Sequence, residues 1–484
     1  MEIHMNEIYA QPLSLLSGFP QGDEKRADQL LLMEREGFQR KIIVLDDDPT
    51  GTQTVHDVPV FTDWTEETME EIFALEDPMV FILTNSRSFS TARTKEVHRE
   101  IALHIARASK ASGREFLVIS RGDSTLRGHF PLETEVLRDT LTKETGISFD
   151  GEIICPFFKE GGRFTVNNIH YVKEESRLVP AGQTEFARDK SFAYESSHLG
   201  AYVEEKSRGA YRKDDCIYIS LEELREFRLE EITDKLLRAG NFQKIILNAI
   251  DYVDVKIFCI CWLRAMKQGK NYLARSAAAL TKVIGGVSDI PLLSREKLVD
   301  ARSSAGGLVV IGSHVKKSTS QLNSLMESEH CLHFIEFNVS RYFSEDSLES
   351  EVSRVLKEAE SFMEKGTTVV IYTSRELVVP DTADNDKILG LSVEISNALT
   401  RIVHLLTLKP KFIIAKGGIT SSDVATKGLS VRKAMVMGQI KKGIPVWMTG
   451  PESKFPDMPY IIFPGNVGEV STLREIVEEL DCGR

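Results

Sequence analysis

Short apolar runs that stop abruptly at an acid, a glycine or a polar cluster recur along this chain, most of them separated by stretches of helical periodicity. Ile42 to Leu45, Met79 to Thr84, Phe116 to Ser120, Glu152 to Cys155, Cys216 to Ile219 and Lys244 to Leu247 form a first series. Leu308 to Ile311, His333 to Asn338, Thr368 to Thr373, Phe412 to Ala415, Pro445 to Met448 and Tyr460 to Phe463 form a second. Runs that are continuous rather than alternating belong to strands buried on both faces, as in parallel sheets covered by helices. A chain of 484 residues also exceeds what one core normally supports. The expected class is α/β: two α/β domains, each with a largely parallel sheet flanked by helices, and an active site in the interdomain cleft. The expected division is a helical extension over residues 1–40, a first domain over 41–285, a linker over 286–306 and a second domain over 307–484.

Helices follow from the same periodicity. Glu24 to Arg40 is charged and reads as helical. After Ser90 or Thr91, either of which can cap, Val97, Ile101, Ile105 and Ala108 recur at helical spacing. From Asp386 to Leu406, the residues Ile388, Leu391, Ile395, Leu399, Ile402 and Leu406 form one apolar stripe, a packing face. Between Phe157 and Asp215 periodicity weakens, and Gly161, Gly162, Pro180 and Gly182 punctuate the chain. That stretch reads as an irregular insertion over the cleft, a lid or binding loop.

Charge narrows the partners. With 72 acidic against 60 basic residues, net −12, and no basic run, the chain lacks the footprint of a nucleic-acid or anionic-membrane binder. No apolar stretch approaches the roughly 20 residues of a membrane span, and no signal-like start is present, so a cytoplasmic protein is expected. The six cysteines are scattered and read as reduced thiols, with Cys259-x-Cys261 as core rather than metal site.

Open α/β sheets bind ligands beyond the carboxyl ends of their strands, so function is sought there. After Leu45 come Asp46, Asp47, Asp48, Thr50 and Gly51. In a phosphotransferase one such carboxylate accepts the proton of an attacking hydroxyl while a neighbour holds water or Mg²⁺. The same letters fit a haloacid-dehalogenase-like phosphatase, with Asp46 as nucleophile and Asp48 as acid/base, and Thr84-Asn85-Ser86 imitates that group's second motif. A third alternative is structural: solvated acids capping a turn.

Beyond Phe116 to Ser120, Arg121 and Arg127 flank Asp123, Ser124 and Thr125, an arrangement suited to gripping a carboxylate or phosphate while the acid holds hydroxyls. Arg87 and Arg163 add two guanidiniums at strand or loop ends, and the recurring theme is a polyhydroxy acid. In the second half, Lys416-Gly-Gly-Ile-Thr-Ser-Ser-Asp423 follows a strand and leads into a helix, which lets backbone N–H groups approach phosphate, with Thr420 and Ser421 as hydroxyl donors. Gly312-Ser313 and Gly465-Asn466-Val467-Gly468 repeat the design, and three such turns favour a nucleotide site. Neither a P-loop nor a Gly-x-Gly-x-x-Gly opening a helix is present, and His98 and His104 are six apart, the wrong spacing for a shared metal.

With these residues in view, the chain resembles the four-carbon acid sugar kinase family, formerly a domain-of-unknown-function family, over nearly its whole length. The resemblance rests on Asp47-Asp48-x-Thr50-Gly51, Ser86-Arg87-Ser88, Asp123-Ser-Thr-Leu-Arg-Gly128, the Pro156 to Arg163 loop, Gly312-Ser313, Gly417-Gly418 and Gly465-Asn466-x-Gly468, in the family's order. It implies an ATP-dependent kinase, with Mg²⁺, acting on a hydroxyl of a four-carbon or branched sugar acid or its 3-oxo form. The first domain would bind the acid and the second ATP. Asp47, Asp48, Arg87, Asp123, Arg127 and Arg163 would surround the substrate, with Asp48 or Asp47 as base and Ser124 beside them. Ser313, Gly417, Gly418, Thr420 and Gly465 would hold ATP. A homodimer is a candidate assembly, and the remaining alternative is a non-catalytic sensor of sugar acid or nucleotide. Three positions depart from the family's pattern: Asp46 for a small residue, Ile419 for an acid that Asp423 could replace, and Val315 for a polar residue.

Overall fold

The computed structural model describes residues 9–313, 315–340, 348–375 and 385–481, with backbone alone for 385–393. Two compact units result, one from the chain up to Gly51 together with Asp63–Ser288, the other from Thr52–Thr62 together with the chain from Asp289 onward. Each is an α/β unit with a mostly parallel sheet flanked by helices, as the apolar runs predict.

In the first unit seven parallel strands run in the order Ile217–Ile219, Gln243–Leu247, Gly151–Cys155, Tyr272–Ser276, Phe116–Arg121, Lys41–Asp46, Met79–Leu83. Every residue of Lys41–Asp46, Met79–Leu83 and Phe116–Arg121 is buried, the reason these strands read as unbroken apolar runs. Each fully buried Ile, Val or Leu there contributes roughly 1.5–3 kcal/mol. The helix Thr91–Ser112 starts at Ser90, whose side chain accepts from Arg93 N, and buries Val97, Ile101, Ile105 and Ala108, as their spacing requires. Glu24–Arg35 is a helix held to the Tyr252–Lys267 helix through Glu34–Arg264 (2.7 Å) and Asp28–Lys256 (2.7 Å). Cys259 and Cys261 are buried in the latter helix, as core.

Two elements depart from the sequence reading. Tyr272–Ser276 was not recognisable as a strand, because only three apolar residues precede Arg275, yet it lies in the middle of the sheet with all five residues buried. The stretch after Phe157 is not irregular: Arg163–Val166, Ile169–Glu174 and Arg177–Pro180 form an antiparallel meander, extended by Gln11–Pro12. Its Phe164, Tyr171, Val172 and Leu178 are buried, and Thr165 bridges to Ala249 of the main body.

The second unit orders five parallel strands as Leu332–Phe337, Thr368–Thr373, Leu308–Ile311, Ile413–Lys416, Pro459–Phe463. Three antiparallel strands follow: Ile444–Thr449, Lys433–Lys441 and Val58–Phe61. Lys433–Lys441 alternates buried and half-buried positions, a one-faced strand whose period-2 pattern differs from the parallel runs. The helix Asn385–Leu405 buries Leu399 and Ile402, and Leu406 just beyond it is buried too, whereas the expected contributions of Ile388 and Leu391 lie outside the described side chains.

Candidate functional site

In the first unit the chain leaves Lys41–Asp46 toward one edge of the sheet and leaves Phe116–Arg121 toward the other, although the two strands are neighbours with Asp46 in register with Arg121. This divergence opens a crevice at their carboxyl ends. The loops 46–52 and 121–131 therefore meet there, with the Asn85–Ser88 turn after Met79–Leu83 beside them.

The three consecutive acids occupy three different environments. Asp46 is 1% exposed and 3.2 Å from Arg121 Nη1. Burial pushes its carboxyl up to about 7, opposed by Arg121 and reinforced by Asp47 and Asp48. Gly51 presses on it: a Cβ there would overlap both carboxylate oxygens. Asp46 is thus spoken for by Arg121 and covered by Gly51, and nothing in its surroundings favours the nucleophile's role that the dehalogenase-type alternative gives it. Gly51→Ala is expected to lower the stability of this unit by about 1–3 kcal/mol, the usual cost of overpacking, read as a lowered urea midpoint.

Asp47 is 3% exposed, and neither of its carboxylate oxygens has a hydrogen-bond partner among the described residues. Arg275 Nη2 and Arg121 Nη1 stand off at 3.8 and 3.9 Å. Burial raises its carboxyl to about 6, against the pull of Arg87, Arg275 and Arg121. Asp48 is fully engaged instead, bonded to Arg87 and to the Thr50 hydroxyl and accepting from Thr50 N at 2.8 Å. Burial alone would raise it, but Arg87 and Thr50 outweigh burial and hold it below the usual carboxylate range. The bond from Asp48 to the backbone two residues on is an Asx turn, so for this acid the capping alternative is met in part.

Arg87 bridges Asp48 to Asp123, 3.4 Å away. Asp123 is also bonded to Arg127 Nε (2.7 Å) and to the Thr125 hydroxyl, and these partners overcome burial to keep it ionised. Arg127 and Arg163 lie 5.2 and 5.6 Å from the same Phe186 ring, and Arg163 Nε is buried without a hydrogen-bond partner among the described residues. Asp47, Asp48, Arg87, Asp123, Arg127 and Arg163 are thus gathered in one region. Ser124 is buried in the same loop, with its carbonyl engaged by His170.

Two residues of this region escaped the sequence reading. Arg275, from the unrecognised central strand, bonds Glu133, Ser120 Oγ (3.0 Å) and the Arg127 carbonyl (3.3 Å). A Cβ at Gly122 or Gly128 would strike its guanidinium, which explains both glycines. Glu133 is 1% exposed, accepts from Ser86 Oγ at 2.6 Å and faces His98 Nε2 at 3.8 Å. Its sequence signal is faint, one of two acids in the first turn of the Leu132–Thr145 helix.

The second unit repeats the crevice. Chain exits diverge between the neighbouring strands Leu308–Ile311 and Ile413–Lys416. A Cβ on Gly417 (φ +122°) would lie 3.1 Å from Ser313 Cβ and 3.2 Å from Thr420 Oγ1, and one on Gly465 would lie 3.3 Å from Ser313 Oγ. Ser313, Gly417, Thr420 and Gly465 therefore converge, with Gly418 opening the Gly418–Asp423 turn of helix. Ser318 Oγ ties Ser313 Oγ (3.0 Å) to the Gly465 carbonyl (3.3 Å). Arg375, also missed, donates to the Ser313 carbonyl at 2.7 Å. Val315 and Ile419 are exposed. Asp423 is bonded to Ser396 Oγ (2.8 Å) and Lys427 (2.9 Å), so it is not held free to stand in for an acid at position 419.

A family model for a sugar-binding N-terminal domain matches residues 42–284, and one for a nucleotide-binding C-terminal domain matches residues 308–473. Among solved structures, a Salmonella typhimurium LT2 protein provisionally described as a tRNA synthase is 16% identical, with a TM-score of 0.64 over 89% of this chain and 97% of its own. A Haemophilus influenzae protein of a domain-of-unknown-function family is 15% identical, with a TM-score of 0.56 over 90% of this chain and 99% of its own. These likenesses are of fold. No curated protein matches the chain.

Proposed function

We propose, for a chain that belongs to the family built from a sugar-binding N-terminal domain and a nucleotide-binding C-terminal domain, an ATP-dependent kinase acting on a hydroxyl of a short sugar acid. The acid would be a four-carbon or branched compound, or its 3-oxo form. The observation that carries this reading is Asp47: a buried carboxylate with no hydrogen-bond partner among the described residues, set among guanidiniums at the carboxyl end of a parallel sheet. A group of that kind suits a general base, because it is desolvated and has a raised pKa while its guanidinium neighbours stand too far off to hydrogen-bond it.

The residue roles follow from what each side chain has left to offer. Arg127 and Arg163 supply guanidiniums for the acid's carboxylate, and Asp123, held ionised, accepts from its hydroxyls. Asp48 orients Arg87 rather than taking a proton. Asp47 takes the proton of the attacking hydroxyl. ATP fits the second unit because Gly312, Gly417 and Gly465 keep open space that a Cβ would fill around Ser313 and Thr420. Among the described residues no group of three or more His, Cys, Asp and Glu is arranged to ligate a metal, so Mg²⁺ would arrive on the nucleotide's phosphates, its common mode of binding.

The test is ADP release with ATP and Mg²⁺ against tetronates, their 3-oxo forms and branched relatives. Turnover of at least one supports the kinase; binding of acid and nucleotide without ADP release would assign a sensor instead. Gly417→Ala is expected to weaken nucleotide binding roughly tenfold or more, because its φ of +122° is closed to alanine and its methyl would crowd Ser313 and Thr420. Calorimetric titration with a non-hydrolysable ATP analogue measures this, and the KM for the acid should stay unchanged.

A further inference from the structure

The loop that carries Asp123 and Arg127 is held in an unusual way. Four consecutive carbonyls of this loop accept hydrogen bonds from four side chains outside it: Ser124 from His170 Nε2 (2.8 Å), Thr125 from the Tyr194 hydroxyl (2.7 Å), Leu126 from the Tyr202 hydroxyl (2.8 Å) and Arg127 from Arg275 Nη2 (3.3 Å). Three of the donors come from the stretch 163–205. His170 is fully buried, and Tyr194 and Tyr202 are 4% and 3% exposed. Because a carbonyl only accepts, the proton of His170 sits on Nε2, and its Nδ1 takes the Thr165 hydroxyl at 3.0 Å.

These bonds have a conformation to maintain. Leu126 sits at φ +69°, a left-handed geometry that costs a branched residue energy and persists only where its surroundings impose it. A peptide plane is rigid, so anchoring each carbonyl also sets the amide that follows it. Asp123 and Arg127 at the two ends of the clamped segment are then presented with a fixed separation. Burial raises both phenols and lowers the His170 imidazole to about 4, so all three remain neutral donors around neutral pH.

We infer that His170, Tyr194 and Tyr202 are positioning residues for acid binding, and that the 163–205 insertion exists to clamp the Asp123–Arg127 loop. The link to acid binding rests on the kinase reading above, whereas the clamp itself is testable without it. Tyr194→Phe and Tyr202→Phe each delete one hydroxyl and keep the ring. In the full-length protein, hydrogen exchange of amides 122–128 should quicken roughly tenfold in each variant, the effect of losing one buried hydrogen bond, with exchange in the Lys41–Asp46 strand unchanged. With threonate as probe, the acid KM should rise while the ATP KM stays within twofold. Loop exchange that is unchanged, acceleration spread evenly over the sheet, or an unaltered threonate KM in an active variant would each overturn the inference. If the wild-type chain turns over no acid, the kinase reading fails and exchange alone decides the clamp.

Discussion

Replacing Asp47 by asparagine is expected to lower kcat by about 10²–10⁴-fold, the usual worth of a positioned general base. The substitution keeps the shape and removes the charge and proton acceptance of a carboxylate that no described residue hydrogen-bonds. Burial lifts the Asp47 carboxyl to about 6 from 3.8. Wild-type kcat/KM should therefore rise with pH through about 6 and level off, and the Asp47→Asn variant should lack that limb. Stability has the opposite sign. A carboxyl with a raised folded pKa stabilises below its unfolded value and loses that contribution as pH climbs through about 6. Asparagine removes this penalty but leaves the nearby guanidiniums with one fewer counter-charge, so the urea midpoint at neutral pH should move little. Asp48→Asn makes the contrast: it frees Arg87, so the acid KM should rise while kcat stays within about tenfold, below the range for losing a base. If Asp48→Asn abolished turnover and Asp47→Asn did not, the base would be Asp48.

Arg275→Met is expected to cost the first unit about 3–5 kcal/mol, because breaking a buried ion pair strands the remaining charge. Glu133 would keep only Ser86 Oγ at 2.6 Å and the distant His98, at a position 1% exposed. Its carboxyl, now held below its ordinary value because Arg275, His98 and Ser86 outweigh burial, would lose the largest of those opposing partners. Hydrogen exchange of the Phe116–Arg121 strand over a urea series measures the loss. The double variant Arg275→Met with Glu133→Leu should regain most of the stability, since an apolar pair of similar volume can replace a buried ion pair. It should not regain acid binding, because the Arg127 carbonyl loses its donor. A loss below about 1 kcal/mol in the single variant, the range of an exposed pair, would mean that Glu133 finds another partner.

Every strand that the sequence reading placed is present, and most of them carry a local signature, three or more apolar residues in a row next to helical periodicity, as strands buried on both faces do. The strands it missed carry a weaker or different one. Tyr272–Ser276 has a charged residue near its end, and Lys433–Lys441 alternates. Val58–Phe61 carries a proline. The meander after Phe157 was hidden by its glycines, which the structure uses at tight approaches: a Cβ on Gly162 would meet the Lys173 side chain and one on Gly182 the Glu195 carbonyl.

What the sequence determined by itself is where chemistry could occur, since strand ends, glycine turns and the residues that follow them are contiguous in the chain. It placed Asp46, Asp47 and Asp48, Asp123 and Arg127, and Gly417 and Gly465 at such ends. What only the tertiary structure decided is which of three adjacent carboxylates is left without a hydrogen bond among the described residues. That depends on Arg121 at the end of a neighbouring strand, on Arg87 from the next turn and on Arg275 from a strand more than two hundred residues away. A carboxyl's pKa is set by its desolvation and by the charges around it, and folding brings those together from segments that carry no mark of one another in the sequence.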